Sequence, residues 1–406
     1  MNSPREVIIS ITNRCNLRCK MCDIPSNKNE ELSTSCWERV IYDAASCGAG
    51  AIVFSGGEPL LREDIFELIS FAKKNSLRAC LTSNGYFLSD EVTQKIRQAG
   101  IDVVNISIEG PRRIHDYLRG RGMFERATVA LGILRKHKIE ATVATMVSRY
   151  NYKYLTCIME IAKQYGATTV KFQPFNRIFL NKPDRGGSFL ISNREIEKLA
   201  GITEDITGLA RKYAISINPA GYLAKMPSYL GKKYIGIGKG CTALENSCPI
   251  NCNGDIYPCW VLSEKDNLIG NINKSSFLEV WGSHNHEAII ESVKRDGCPG
   301  CMMSCYDENF GKEPIERRII MSMARLREKG AAEYARSILN KLTKRIKFYS
   351  SYRGSLQGIV RRIHGSLQRN KEIPLNLRQE ESDNVLKEIE FAKKILKEEL
   401  IHSKCK

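Results

Sequence analysis

Over roughly its first 175 residues the chain alternates short β-rich runs with amphipathic helical segments, and this alternation leaves few folds open. The β-rich runs are 6–11 (EVIISI), 51–55, 78–83, 102–108, 140–147 and 168–173. Helical patterns lie between them, near 36–47, 64–75, 90–99, 124–137 and 153–165. In EDIFELISFAKKN, for example, Ile65, Phe66, Leu68, Ile69 and Phe71 recur at helical spacing behind an acidic first turn. Strand–helix alternation with short connections requires parallel strands and right-handed crossovers. Six such units suit an α/β fold, a partial or complete barrel of the TIM type, and a partial (β/α)6 barrel is the expectation. Its chemistry is expected at the C-terminal ends of the strands.

The rest of the chain changes character twice. Residues 176–235 are less regular, with helical stretches around 193–212, and bridge to a segment holding seven cysteines between positions 241 and 305. Beyond 311 the pattern is helical and basic. The expected division is a barrel and bridge over 1–235, a small cysteine-rich domain over 236–310 and a helical basic C-terminal tail over 311–406. The net charge of +17 belongs largely to that tail, where 23 Lys/Arg face 12 Asp/Glu. No run of about 18 apolar residues is present, so no membrane span is predicted. The N-terminus lacks the basic–apolar–small order of a secretory signal, which predicts a cytoplasmic protein. In that compartment fifteen cysteines are metal ligands or buried residues rather than disulfides.

Directly after the first β-rich run, Cys15, Cys19 and Cys22 fall in a C-x3-C-x2-C spacing within NRCNLRCKMC. A zinc site wants four closely organised ligands. A four-iron cluster also has four ligand places, but a protein that fills three leaves one iron open to another molecule. Three thiols on a loop at a barrel mouth fit that use; incidental cysteines and a structural zinc are the alternatives.

On these residues the sequence resembles the radical SAM enzymes over about residues 6–175. The resemblance implies that Cys15, Cys19 and Cys22 hold a 4Fe–4S cluster whose open iron binds S-adenosylmethionine (SAM). One electron, from a donor such as flavodoxin or ferredoxin, then cleaves SAM to a 5′-deoxyadenosyl radical that abstracts a substrate hydrogen. Met21 stands where the family often has an aromatic residue. SGGEPLL (55–61) matches the family's GGEP segment, so Gly56, Gly57, Glu58 and Pro59 are expected around the SAM amino group, with Glu58 as an acceptor. TSNG (82–85) resembles a polar loop near the cofactor and brings in Asn84. In ISIEGPRRIHDYLRG (106–120), Ser107, Glu109 and Arg119 match positions contacting SAM, Glu109 standing where the family often has Asp. His115 and Asp116 are expected as capping or supporting groups.

The pattern C-x12-G-x4-C (Cys241, Gly254, Cys259), followed by Cys298, Cys301 and Cys305, resembles the SPASM or shorter twitch extension. It implies at least one auxiliary 4Fe–4S cluster drawing on those five cysteines. Cys248 and Cys252 are alternatives to one of them, or support for a second cluster, and zinc is an alternative for the region. Cys36, Cys47, Cys80 and Cys157 are expected in the core. Trp260 stands where the sulfatase-maturing branch places an Asp base, which argues against side-chain oxidation by that route. The expected substrate is a peptide or protein, with a small molecule of cofactor or carbohydrate biosynthesis as the alternative and a non-catalytic iron–sulfur or zinc scaffold as the rival class.

Between Lys341 and Arg378 ten basic residues face one acid, with Leu356, Ile359, Val360, Ile363 and Leu367 as an apolar stripe. A solvated surface, a peripheral contact with anionic lipid and an acidic peptide partner all fit. No nucleic-acid-binding motif accompanies the charge, so no nucleic-acid partner is expected.

Overall fold

The computed structural model describes residues 3–181, 183–231, 243–263, 265–296 and 300–303. These fall in the first of two compact units, Met1–Met321 and Ser322–Lys406. The basic tail, Cys241, Cys298 and Cys305 lie outside the described residues, as does the expected division at 235–236.

Six strands form the core of the sheet in the predicted order: β1 (Glu6–Thr12), β2 (Ala51–Gly56), β3 (Arg78–Ser83), β4 (Val103–Ser107), β5 (Glu140–Val147) and β6 (Thr169–Pro174). Each pairs with the next in parallel register, for example Ile9 with Phe54 and Phe54 with Leu81. Alternation within the strands separates two faces. Val7, Ile9 and Ile11 are fully buried in the core cluster, whereas Glu6 and Ile8 line an interior cavity.

Up to residue 230 helices pack around the sheet. They are α1 (Thr34–Ser46), α2 (Ile65–Lys74), α3 (Asp90–Gln98), α4 (Arg112–Arg119), α5 (Met123–Lys136), α6 (Leu155–Tyr165), α7 (Asn193–Tyr213) and α8 (Ala220–Leu230). Their starts are capped as the sequence suggests. Ser33 accepts from the Cys36 N–H at 3.3 Å, Ser89 from Val92 at 3.2 Å, and Ser192 with Glu195 forms a capping box. On α1 the side chains of Trp37, Val40 and Ile41 are no more than 1% exposed. Each such side chain stabilises the fold by about 1.5–3 kcal/mol relative to exposure. Among the described residues no helix is long and apolar enough to cross a membrane.

Two elements depart from the sequence reading. RRIHDYLR folds as α4, a helix hidden by its charge. The cysteine-rich segment also holds a strand, β7 (Ser247–Ile250), which pairs in parallel with β1 from Glu6↔Ser247 to Ile9↔Ile250. Two short antiparallel strands, β8 (Asp255–Ile256) and β9 (Gly270–Asn271), complete the order β6-β5-β4-β3-β2-β1-β7-β8-β9. The sheet therefore remains open, a partial barrel, with the SCPI strand on the β1 edge.

Candidate active site

The loop after β1 carries Cys15, Cys19 and Cys22 and is fastened from three sides. Lys20 N–H donates to the Leu118 carbonyl at 2.9 Å, Asp23 N–H to Phe179 at 2.7 Å and Leu32 N–H to Cys252 at 2.8 Å. Beneath it lies Arg62, 8% exposed, which donates to the carbonyls of Ile11 and Leu32 at 3.1 Å each and grips Asp64 with both arms of its fork at 2.8 and 2.6 Å. Glu31 joins the same network through Thr12 Oγ1, Arg14 and Arg62. Nothing local in the sequence marks Arg62, because its partners come from the chain before and beside it.

The two glycines of the GGEP segment lie against the root of the cysteine loop. A Cβ on Gly56 would meet the Thr12 carbonyl oxygen at 2.3 Å, and Gly56 also has φ +124°. One on Gly57 would meet the Arg14 oxygen at 2.2 Å. Gly57 N–H donates to Thr12 at 2.7 Å and Glu58 N–H to Arg14 at 2.9 Å, locking the segment against the root of the cysteine loop. Only a residue without Cβ permits that approach. Gly56 and Gly57 line the cavity, whereas Glu58 and Pro59 are buried behind its wall.

Glu58 is fully buried and accepts from Ser83 Oγ at 3.0 and 3.1 Å, from Asn84 N–H at 2.8 Å and from Leu60 N–H at 3.2 Å. This carboxyl group joins the ends of β2 and β3. Burial pushes it up to about 7, against the pull of its N–H donors and Arg119. Because the folded value lies above the ordinary 4.5, its contribution to stability is intact below pH 4.5 and is lost as pH rises through about 7. The loss amounts to about 3 kcal/mol. Glu58→Gln is expected to flatten stability over that window, read as melting temperature from pH 4.5 to 7.5. An unchanged pH profile in the variant would rule this role out.

Asn84 lies over the first cysteine: its Nδ2 donates to Asn16 Oδ1 at 2.9 Å and stands 3.9 Å from Cys15 Sγ. Arg119 does the same at the second, with one guanidinium nitrogen 4.0 Å from Cys19 Sγ. Glu109, fully buried, holds that guanidinium at 2.6 and 2.8 Å through Oε1 and accepts from Met146 N–H at 2.8 Å through Oε2. Burial alone would pull Arg119 down, but Glu109 and the neighbouring cysteines hold it well above its ordinary value. Ser107 and Arg119 line the cavity; Glu109 positions Arg119 from behind. The Glu109 N–H donates to His115 Nδ1 at 3.2 Å, and burial pushes that imidazole down to about 3, so it is neutral. Asp116 caps α5 by accepting from Gly122 and Phe124 N–H at 3.0 and 2.8 Å.

One cavity of about 1170 Å³ runs along the inner face of the sheet and takes in all three cysteines, Met21, Asn84, Ser107 and Arg119. Burial raises each of the three thiols, Cys22 to about 11. Three sulfur donors at one mouth with N–H groups beside two of them suit an iron–sulfur cluster with one ligand place left to a second molecule.

At the other side Cys259 and Cys301 share a buried apolar cluster with Leu244, Leu262 and Met303. Trp260 and Met303 from this cluster line the same cavity as the first three cysteines. Met303 Sδ accepts from Gln173 Nε2 at 3.3 Å, and the Met302 carbonyl accepts from the Tyr222 hydroxyl, which ties this region to β6 and α8. Cys248 and Cys252 are not in that cluster: Cys248 packs in the main core beside Val7, and Cys252 lies against residues 29–32. Cys36, Cys47 and Cys157 pack against the core as expected, but Cys80 lies on the inner face and lines the cavity. Sequence reasoning also passed over Tyr222, Met303 and Asn218, which line the same cavity.

Comparison with known proteins agrees with this geometry. Residues 9–156 match the radical SAM superfamily, and residues 241–306 match SPASM, an iron–sulfur cluster-binding domain. An AdoMet-dependent heme synthase of Methanosarcina barkeri is 30% identical over 297 residues, 69% of this chain and 82% of the relative. A PqqA peptide cyclase of Xanthomonas euvesicatoria is 24% identical over 318 residues, 73% of this chain and 80% of the relative. Among solved structures, SuiB of Streptococcus suis bound to S-adenosylmethionine superposes with a TM-score of 0.60 at 15% identity, covering 72% of this chain and 68% of SuiB. Native anSMEcpe with bound AdoMet and Cp18Cys peptide gives 0.58 at 17%, covering 80% and 98%. The family brings a 4Fe–4S cluster with SAM to the first region and auxiliary iron–sulfur binding to the second. The chain belongs to the radical SAM superfamily and carries a SPASM domain after its partial barrel.

Proposed function

We propose that this enzyme acts in cofactor biosynthesis, removing a hydrogen atom from a carboxylate-bearing tetrapyrrole precursor of haem, with the SPASM region serving the same chamber. The observation that carries the reading is the shared cavity: Cys15, Cys19 and Cys22 stand at one side, and Trp260 and Met303, next to the auxiliary cysteines, at another. When bound, the cluster and SAM supply a carbon radical that takes a substrate hydrogen. Cys15, Cys19 and Cys22 would hold the cluster, with N–H groups of Asn84 and Arg119 beside the Cys15 and Cys19 thiols. Gly56, Gly57 and Ser107 make the SAM-facing wall. Electrons come from a flavodoxin- or ferredoxin-type donor. Residues 1–235 form the catalytic core in this reading, and 236–310 the auxiliary domain, with Cys241, Cys259, Cys298, Cys301 and Cys305 as its ligand pool.

The substrate class is supported by the relatives named as heme synthases in three organisms, which match at 27–30% identity. Trp260 in the chamber wall, where the sulfatase-maturing branch has Asp, speaks against oxidation of a Ser or Cys side chain. Peptide modification is the second reading, supported by the PqqA peptide cyclase likeness. An anaerobic assay with SAM and dithionite separates the two. Haem-precursor tetrapyrroles are expected to stimulate 5′-deoxyadenosine formation and to lose mass, while peptide substrates leave both unchanged; stimulation by peptides alone would overturn the reading.

A further inference from the structure

The wall of the chamber beyond β6 contains a second built feature. Ser216 lies beside β6 through a parallel bridge to Thr169, and the chain then turns through Asn218 and Pro219 into α8. Asn218 is 1% exposed and lines the cavity. Its Oδ1 accepts from the Phe172 N–H at 2.7 Å, which fixes the amide and leaves Nδ2 as the remaining donor. Among the described residues that Nδ2 has no hydrogen-bond partner. A buried amide donor without a partner is costly and calls for an acceptor.

The donors that would complete such a site are adjacent. Pro219, Ala220, Gly221 and Tyr222 line the same cavity, so the N-terminus of the 11-residue helix α8 opens into it. Pro219 supplies no side-chain cap, and the first N–H groups of a helix lack partners within it. A Cβ on Gly221 would meet nothing within 4 Å, so the space beside this first turn is open. One turn on, Lys225 shares the face of Gly221, lines the cavity and has no ion-pair partner among the described residues. Helix N–H groups, their dipole, a buried amide N–H and one ammonium together form a cradle for an anion.

We infer that Asn218, the Ala220 and Gly221 N–H groups and Lys225 bind a carboxylate of the substrate. They hold it on the β6 side of the chamber, across the barrel from the cysteine loop on β1. The inference deepens the preceding reading, resting on the substrate lying in the shared chamber, and it assigns the handle by which the substrate is oriented. A single lysine among neutral donors suits one carboxylate rather than a phosphate dianion.

Asn218→Asp is the informative variant, because Asp retains the acceptor for Phe172 while placing a repelling oxygen where Nδ2 stands. Anaerobically reconstituted full-length protein would be titrated with hemin, hemin dimethyl ester, succinate and inorganic phosphate, followed by Soret absorbance or tryptophan fluorescence. Wild type is expected to bind hemin more tightly than its ester. Asn218→Asp should weaken hemin about tenfold or more and leave the ester unchanged. Lys225→Gln, at an exposed position, should weaken hemin a few-fold and covers the case in which Asn218→Asp does not fold. If neither porphyrin binds but succinate does, and Asn218→Asp or Lys225→Gln abolishes that, the tetrapyrrole reading falls while the cradle stands. Phosphate binding in preference to succinate would overturn the carboxylate assignment. Undiminished acid binding in both variants, or no binding of any acid by wild type, would overturn the cradle itself.

Discussion

Replacing Cys15, Cys19 and Cys22 together by Ala is expected to abolish SAM cleavage completely while leaving the auxiliary cluster in place. The separation follows from the architecture. The three thiols sit on one loop, anchored to Leu118, Phe179 and Cys252 by backbone hydrogen bonds that alanine retains. Cys259 and Cys301 lie in a separate apolar cluster, and none of the three loop cysteines belongs to it. Loss of the loop thiols therefore removes one ligand set without disturbing the core that supports the other. The check is 5′-deoxyadenosine formation after reduction, with the remaining cluster followed by its visible absorbance. Residual cleavage in the triple variant would refute the assignment of these three as the SAM cluster's ligands.

The second large effect is expected at the Glu109–Arg119 pair. Arg119→Ala leaves a fully buried carboxylate whose guanidinium partner stood at 2.6 Å. Breaking a buried pair from one side costs about 3–5 kcal/mol, because the remaining charge has no solvent to turn to. The same change removes the donor beside Cys19 Sγ, so SAM turnover should fall with stability. The double variant Glu109→Gln/Arg119→Met separates the two consequences. It should regain most of the stability, since neither charge remains, but not the turnover. Denaturant unfolding and 5′-deoxyadenosine rates on both variants supply the test. Recovery of turnover in the double variant would mean that Arg119 acts only as a structural counter-ion.

The six barrel strands were legible because their Val- and Ile-rich runs must pack outward against helices, and the observed boundaries lie within a residue or so of the expected ones. The cysteine triplet was legible for a local reason as well: spacing alone puts three thiols on one loop. What the sequence hid depends on contacts distant along the chain. SCPI became a strand because β1 had an open edge, which no periodicity in four residues announces. The partners of Glu58 were hidden for a similar reason. The β2 loop is pressed against Thr12 and Arg14, and the carboxyl group meets Ser83 and Asn84 on the neighbouring strand end. Asn218 is legible only once Phe172, 46 positions away, is seen to hold one end of its amide.

The central claim, two iron–sulfur centres with separate ligand sets serving one chamber, is tested most directly by counting iron and acid-labile sulfide. The protein would be reconstituted and measured without oxygen, as wild type and as the Cys15/Cys19/Cys22 triple alanine variant. Two four-iron clusters predict about eight irons in the wild type and about four in the variant. Equal counts in the two proteins, or about four irons in a wild type that forms no 5′-deoxyadenosine, would contradict it.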